Sequence, residues 1–310
     1  MGCDFQISSF KYCIGMDIVH HTLIGGVGYL AATACDQQLA GAAFLAGSVL
    51  PDLDVFFMLF GKRFYLKNHQ GITHSLILAP LYALLICGMV MFLFYTDWNW
   101  WLFGGALLGL CLHVFMDWFN TFRIALFSPF ISKRYSLDTV FFIDSVTLFL
   151  TGMFYLFYGY YKIDAAVYAY PLLFMIYFVF KLFLRLWTMR IHKPLFAIPS
   201  SLNPFEFYIL IKDSKGSSGF LYNCISKNSR NFVYYAPVAE KYEQLAERSP
   251  VFRDMRHITR AFSITNVLET SEGTIIHAGD LPIRNFGGRF AKTVLRFDKQ
   301  NKLVHETANI

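Results

Sequence analysis

The apolar positions are gathered into long blocks over the first two thirds of the chain. A helix needs roughly 20 apolar residues to cross a membrane. Four blocks reach or approach that length: 75–96, 99–116, 141–161 and 165–187. The pattern therefore predicts four membrane-spanning helices.

Two shorter apolar blocks, 22–34 and 39–50, precede the predicted spans, and the polar sequence CDQQ lies between them at 35–38. Each block is shorter than the roughly 20 residues of an ordinary span. We therefore expect a helical hairpin that turns at 35–38 and is inserted thinly or partly into the membrane.

The last third of the chain changes character. Segments such as EFYILIK, GFLYNCI, NFVYYAP and TVLRFDK are rich in β-branched and aromatic residues, which favours strands. The pattern predicts an antiparallel sheet of six or seven strands, with KDSKGSS as a hairpin loop and DLPIRN as one of the strands. A short helix is expected over 238–247.

Composition places a boundary between these two parts. The chain is 55% hydrophobic and only 15% charged, which is typical of a membrane protein. The first glutamate is Glu206. We expect an N-terminal extension (1–15), an α-helical polytopic membrane domain (16–193) and a small antiparallel β-rich soluble domain (194–310). The net charge of +6 is mild and does not indicate a nucleic-acid partner.

Basic residues alternate between the predicted loops, and cytoplasmic loops carry an excess of Lys and Arg. They precede the first span, lie between the second and third, and follow the fourth: Lys62, Arg63, Lys67, Arg123, Lys133, Arg134, Arg185, Arg190 and Lys193. The loop DWN has none, and the remaining turn has only Lys162. This predicts a multi-pass protein with a cytoplasmic C-terminal domain.

In that orientation, five separate segments bring His and Asp to the cytoplasmic layer of the membrane. They are MDIVHHTLIG (16–25), GSVLPDLD (47–54), HQGITHS (69–75), HVFMD (113–117) and SLDTVFFIDS (136–145). Ionisable side chains near hydrocarbon usually face a partner or a wet cavity. Arg123 and Arg134 can neutralise two carboxylates at most, so the pattern predicts a bound divalent metal.

His113 and Asp117 are four residues apart and share one helix face. Mixed His and Asp ligands suit Zn, Mn or Fe, so we expect one to three ions, with Zn as the first candidate. The predicted metal ligands are His21, His69, His74, His113, Asp117 and Asp52.

Each motif also has a structural interpretation. HVFMD can be a hydrogen-bonded His–Asp pair, PDLD a solvated turn, and HQGITHS a helix cap. The remaining histidines away from these motifs are expected to have no functional role: His192, His257, His277 and His305.

In order and spacing, these motifs resemble the bacterial inner-membrane metal-dependent hydrolases of the YdjM/YfhP type. The resemblance covers about residues 16–190, with Gln70 and Ser145 standing where that family usually has Arg and Pro. The matching residues are Met16, Asp17, His21, Gly25, Gly47, Ser48, Pro51, Asp52, Asp54, His69, Gly71, Thr73, His74, Ser75, His113, Asp117, Leu137, Asp138, Ile143 and Asp144. A distant likeness to zinc-dependent phospholipase C implies phosphoester chemistry.

The resemblance and the residues together predict a membrane-embedded hydrolase acting on a lipid-like phosphoester at the cytoplasmic face of the inner membrane. A divalent metal would acidify a water and polarise the scissile bond. One of Asp52 and Asp54 would bind metal while the other acts as general base. Asp17, Asp138 and Asp144 would be additional ligands or would hold imidazole N–H groups.

The alternative is a non-catalytic metal-dependent scaffold or an ion transporter. A transporter should carry polar residues through the middle of its spans. The predicted spans are almost free of charge there, apart from Lys181 near a cytoplasmic end. This favours the enzyme.

Overall fold

The computed structural model describes residues 6–141, 144–213, 216–259, 261–281 and 292–309. Nine α-helices and eight β-strands are assigned within these ranges, with the helices concentrated in the N-terminal part and the strands in the C-terminal part.

The chain begins with the predicted helical hairpin, and both arms are longer than expected. Helix α1 covers Gln6–Ala34 and α2 covers Gln38–Val49. A 3₁₀ segment, Leu50–Phe60, continues α2. Pro51 lies in the first turn of that segment, where its missing N–H removes no helical hydrogen bond. The hydrophobic element therefore runs on to Phe60.

Within the described part of the chain, three helical elements are long and apolar enough to cross a membrane: Gln38–Phe60, α5 (Trp100–Phe119) and α7 (Ala165–His192). The last two match predicted spans. The element Gln38–Phe60 is the second arm of the hairpin, for which the sequence pattern predicted only residues 39–50.

The other two predicted spans are shorter in the structure, so four spans are not confirmed. Helix α4 covers the 16 residues Ala79–Phe94. It begins four residues after the predicted start at 75, because the proline in its first turn favours a helix start at that point. Helix α6 covers Ser145–Phe154 and continues as the π-helical turn Tyr155–Tyr160. Asp144 caps α6 with its side chain and so fixes where that helix begins.

Close helix packing joins α2 to α5. A Cβ atom added at Gly105 would overlap the backbone oxygen of Ala40, and one added at Gly109 would overlap that of Phe44. Small residues let two apolar helices approach this closely in a membrane. The contact places the 3₁₀ segment after α2 beside the C-terminal half of α5.

Two short connections follow α2. Helix α3 covers Lys62–Asn68, and the 3₁₀ turn Ile72–His74 precedes α4. The polar loop between α5 and α6 packs back onto the end of α5, since Thr139 and Val140 donate backbone hydrogen bonds to the carbonyl oxygen of Phe119.

The C-terminal part contains two four-stranded antiparallel sheets, each with its strands in chain order. The first holds β1–β4 and the second β5–β8: Phe196–Pro199, Glu206–Asp213, Gly216–Asn223, Ser229–Tyr235, Phe262–Thr270, Gly273–Asp280, Lys292–Asp298 and Leu303–Asn309. Helices α8 (Glu240–Ala246) and α9 (Pro250–Ile258) connect them.

The expectation of one sheet with six or seven strands is therefore wrong. Two helices interrupt the strand order, where the sequence pattern had indicated a single one. Strands β1 and β8 were missed because β1 has four residues and β8 is largely polar. Strands β2 and β3 extend into the predicted loop 212–218, since β2 ends at Asp213 and β3 begins at Gly216. Residues 214–215 and most of DLPIRN lie outside the described residues.

The loop after β1 is attached to the helices. Lys181 is fully buried in α7, and its Nζ donates to the carbonyl oxygen of Pro204 at 3.0 Å. The backbone N–H of Ser145, at the start of α6, donates to the carbonyl oxygen of Ser201 at 2.9 Å.

Candidate metal centre

Four predicted ligands meet in one buried cluster: Asp52, His74, His113 and Asp117. Each offers one donor atom, and these atoms all lie within 4.8 Å of one another. The 3₁₀ segment after α2 supplies Asp52, the 3₁₀ turn before α4 supplies His74, and α5 supplies the i, i+4 pair. All four residues are at most 5% exposed.

The spacing of these atoms matches a small metal shell. His74 Nε2 lies 3.2 Å from His113 Nε2, 3.1 Å from Asp117 Oδ2 and 3.7 Å from Asp52 Oδ1. His113 Nε2 lies 3.6 Å from Asp117 Oδ2 and 3.5 Å from Asp52 Oδ1. Ligands about 2.1 Å from a tetrahedral ion are about 3.4 Å apart. Five of the six separations therefore suit one ion.

A hydrogen bond orients the imidazole of His113 so that its Nε2 faces the cluster. Its Nδ1 lies 2.7 Å from the carbonyl oxygen of Ser48, which can only accept. Nδ1 therefore carries the proton, and Nε2 of the neutral ring presents a lone pair. This is the usual way in which a backbone carbonyl orients a metal-binding imidazole.

A short relay does the same for His74. The hydroxyl of Thr73 donates to Asp54 Oδ2 at 3.1 Å and lies 3.0 Å from His74 Nδ1. Because the hydroxyl proton is committed to the carboxylate, Nδ1 of His74 donates to Thr73. Two Nε2 lone pairs and two carboxylates thus converge, and a cation or a proton has to separate them.

The carboxylates are also short of hydrogen bonds. Among the described residues, Asp52 Oδ2 and Asp117 Oδ2 are buried without a hydrogen-bond partner of acceptable geometry. Buried carboxylates of this kind are costly unless a cation compensates them. The residues present therefore fit a divalent metal.

In the metal-free protein a proton takes the place of the cation. Burial disfavours the charged form of His74, but the close approach of the Asp117 and Asp52 carboxylates to its Nε2 outweighs burial and raises the pKa of His74 to about 10. Metal and proton are therefore alternatives for the same Nε2 atom.

His21 lies at the edge of this cluster. Its Nε2 is 3.1 Å from Asp117 Oδ1, and its ring stacks on that of His113 with centroids 3.9 Å apart. It is brought to the cluster, although not into the set of four. Its neighbour His20 points elsewhere, with Nε2 3.2 Å from the hydroxyl of Thr147.

Asp54 and His69 form a layer behind the cluster. Asp54 Oδ1 lies 2.9 Å from His69 Nδ1, and Oδ2 accepts from the backbone N–H of Gln70 at 2.9 Å as well as from Thr73. In a 3₁₀ helix with three residues per turn, residues two apart do not share a face. Asp52 therefore turns toward the cluster, while Asp54 turns toward the His69–Thr73 loop.

Two further predicted acids, Asp138 and Asp144, lie outside the cluster. Asp138 pairs with Arg185 at 3.3 Å and accepts from Ser136 at 3.0 Å. Asp144 caps α6 and accepts from the hydroxyl of Tyr177 at 2.8 Å. The backbone of Asp17 belongs to α1, but its side chain lies outside the described residues.

Four other histidines lie outside this cluster of four: His192, His257, His277 and His305. The sequence analysis missed the functions of Ser48 and Thr73 in orienting the two rings, although both belong to the quoted motifs.

Comparison with known proteins places this geometry in a family context. A family model described as "YdjM inner membrane protein" matches residues 16–188, which contain all four cluster residues. A Bacillus subtilis (strain 168) protein described as "Uncharacterized protein YfhP" is 34% identical over 136 residues. That alignment covers 41% of this chain and 40% of the relative, so the chain matches well under half of the relative's length. No solved structure matches. The matched region is more than half of the chain and includes the whole cluster, and the chain belongs to the YdjM inner membrane protein family.

Proposed function

We propose that this protein is a membrane-embedded metal-dependent hydrolase that acts on a phosphoester. The observation that carries the proposal is the set of separations between 3.1 and 3.7 Å among four buried donor atoms whose lone pairs face one point. A hydrogen-bonded structural pair would need two such groups. Four of them, with two buried carboxylate oxygens that lack a well-formed hydrogen bond, favour a metal.

In this proposal His74, His113, Asp52 and Asp117 hold the metal. The two-His, two-carboxylate set suits Zn, Mn or Fe. When bound, the metal would supply an acidified water and polarise the phosphoryl group. His21, which contacts Asp117 from the edge of the cluster, is placed to accept or return a proton there.

In this proposal Asp54 positions other residues and does not act as the general base. Three hydrogen-bond contacts already occupy its oxygens, and they hold His69 and Thr73 in place. Through Thr73, Asp54 orients the imidazole of His74. Asp138 and Asp144 support the loop and helix around the cluster.

The proposed location is the cytoplasmic face of the inner membrane. The support is the alternation of Lys and Arg between the loops. A substrate at that face would be a membrane lipid or another phosphoester delivered at the membrane surface.

The test is metal analysis joined to a substrate screen. Protein purified in detergent should contain about one equivalent of Zn, Mn or Fe by mass spectrometry and should hydrolyse a phosphodiester such as bis(p-nitrophenyl) phosphate. Asp117→Asn should lose both the metal and the activity. Metal-containing protein that hydrolyses no phosphoester, and instead carries metal ions across reconstituted vesicles, would replace the enzyme with a transporter.

A further inference from the structure

A short part of the loop between β1 and β2, residues 200–204, is bonded to the start of α6. Ser145 is the first residue of that helix and makes two hydrogen bonds to the loop. Its backbone N–H donates to the carbonyl oxygen of Ser201 at 2.9 Å, and its hydroxyl donates to that of Leu202 at 3.0 Å. We call residues 200–204 the clamp loop, since they hold a helix of the N-terminal part against the C-terminal part.

Lys181 attaches the other end of the clamp loop to α7. This residue is fully buried, and its Nζ donates to the carbonyl oxygen of Pro204 at 3.0 Å and lies 4.9 Å from the ring centroid of Phe207. A buried ammonium group is costly unless such groups surround it. Its charge also attracts the carboxylate of Asp144, which accepts from the hydroxyl of Tyr177 one turn earlier on α7. The clamp loop and α7 therefore hold the start of α6 together.

A line of hydrogen bonds leads from the start of α6 to the metal centre. The hydroxyl of Thr147 donates to the carbonyl oxygen of Asp144 at 2.9 Å. Because that proton is committed, Nε2–H of His20 donates to the Thr147 oxygen, at 3.2 Å. The next residue of α1 is His21, whose Nε2 lies 3.1 Å from Asp117 Oδ1. A contact that holds His20 therefore also limits the movement of His21.

The inner residues of this line are all withdrawn from solvent. His20, His21, Asp144 and Thr147 are at most 4% exposed. Water cannot replace a hydrogen bond that is lost among them, so each lost bond leaves a costly buried polar group. Close-packed interiors also transmit strain, because they are hardly compressible. A displacement of the start of α6 must therefore be answered by a displacement in α1.

Resting on the proposed function, we propose that the clamp loop is a positioning device through which the C-terminal part holds His21 at the metal centre. Release of the clamp loop frees the start of α6, lets His20 withdraw, and loosens the contacts of His21 with Asp117 and the ring of His113. The C-terminal part thus acts on the site without contributing a residue to the cluster. By linkage, metal binding tightens the clamp loop by the same factor.

Ser145→Pro is the variant that detaches α6 from the clamp loop. Proline has neither an N–H nor a hydroxyl group, so both hydrogen bonds are lost. The helix itself tolerates the change, because proline is favoured at the first helical position. Asp144 already has the extended backbone that a following proline requires, with φ −112° and ψ 127°. A second variant, Lys181→Met, removes the bond to Pro204 and keeps an unbranched side chain.

Thr188→Val is the matched control. The hydroxyl of Thr188 contacts Cys224 Sγ at 3.2 Å, and this contact also joins α7 to the C-terminal part. It lies away from the clamp loop and makes no contact with α6. The control therefore loses a buried contact between the two parts of the chain without disturbing the line to His21.

The measurement is cobalt affinity of the full-length protein in detergent, followed through the visible spectrum of the bound cobalt. Ser145→Pro and Lys181→Met should each lower the affinity by about 2- to 30-fold, the usual range for coupling through residues that do not touch the ligand. Thr188→Val should bind cobalt as the wild type does. Cobalt should also slow hydrogen exchange of the clamp loop in the wild type.

A double-mutant cycle tests the route of the effect. In a His21→Ala background, Ser145→Pro should cause no further loss of cobalt affinity, because the clamp loop acts through His21. A general loss of stability would instead lower the affinity by the same factor in both backgrounds.

Three results would overturn the inference: wild-type cobalt affinity in both clamp variants, an undiminished effect of Ser145→Pro in the His21→Ala background, or clamp-loop exchange that cobalt does not change. Wild-type protein that takes up no cobalt would refute the metal centre and the inference together. Failure of the metal centre is therefore distinguishable from failure of the clamp loop alone.

Discussion

The Nε2 atoms of His74 and His113 face each other at 3.2 Å, although each ring is fixed from behind with its proton on Nδ1. Two lone pairs at that distance repel unless a proton or a metal lies between them. The relationship joins two segments 39 residues apart in the chain.

Removing one ring should abolish binding. His113→Ala should lower the metal content of purified protein from about one equivalent to near zero. The variant keeps only three of the four donor groups and lacks the imidazole that the carbonyl oxygen of Ser48 orients. Added Zn should raise the unfolding temperature of the wild type but not of the variant, because a ligand at 100 times its Kd stabilises by about 2.7 kcal/mol. His305→Ala, on the exposed strand β8, is the control and should behave as wild type. Unchanged metal in His113→Ala would refute the site.

Metal affinity should depend on pH through His74. Because its pKa in the metal-free protein is about 10, metal must displace one proton at neutral pH. The apparent metal affinity should therefore increase about tenfold for each unit by which the pH rises, until the pH reaches about 10. In the metal-free protein the same proton stabilises the fold fully below pH 6.5, and that stabilisation is lost as the pH rises through about 10. Titration calorimetry in two buffers of different ionisation enthalpy measures the released proton, and a pH-independent affinity would contradict the assignment.

Asp52 and Asp54 should differ, although they are two residues apart. Asp52→Asn removes a ligand and should eliminate metal binding. Asp54→Asn disturbs only the groups behind His74 and should weaken metal affinity by about 10- to 100-fold, as changes behind a metal ligand do. Competition with a metal chelator measures both. If Asp54 is instead the general base, Asp54→Asn will keep full metal affinity and lose only activity.

The close packing of α2 and α5 can be tested at neighbouring glycines. Gly105→Ala pushes a methyl group against the backbone of Ala40 and should destabilise the protein by about 1–3 kcal/mol while lowering metal retention. Gly104→Ala is the matched control, since nothing lies within 4 Å of its added Cβ. It should be neutral or slightly stabilising, because Ala favours helix over Gly. Thermal unfolding in detergent compares the two, and equal behaviour would mean that the helices do not touch at Gly105.

The C-terminal part carries a buried carboxyl group that costs stability. Asp280 ends β6 at 7% exposure, and its Oδ1 has no hydrogen-bond partner among the described residues. Burial raises the pKa of Asp280 to about 7. A raised pKa means that the native state holds the proton more tightly, so stability is greatest below pH 3.8 and falls as the pH rises through about 7.

Asp280→Asn should therefore stabilise the protein above pH 7 by up to a few kcal/mol and progressively less toward pH 4. Denaturant unfolding at several pH values measures this gain. Glu272→Gln, in the exposed turn before β6, is the control and should show no such trend. A gain independent of pH would show that Asp280 does not titrate with the raised pKa.

The sequence by itself determined the division into a helical membrane part and a β-rich part, the hairpin near residue 35 and the set of His and Asp motifs. These features depend on local periodicity and composition, which are written along the chain. The His113–Asp117 pair belongs with them, because i, i+4 spacing on a helix brings two side chains to one face whatever surrounds it.

Tertiary structure decided which motif residues meet. Asp52 and Asp54 look equivalent in the sequence, and only the 3₁₀ geometry after Pro51 turns Asp52 toward the cluster and Asp54 toward the His69–Thr73 loop. The number of long spans likewise depended on where Asp144 and a proline begin their helices. A metal shell is defined by separations of a few ångströms between distant segments. Helix packing through Gly105 and Gly109 sets those separations, and no local pattern records them.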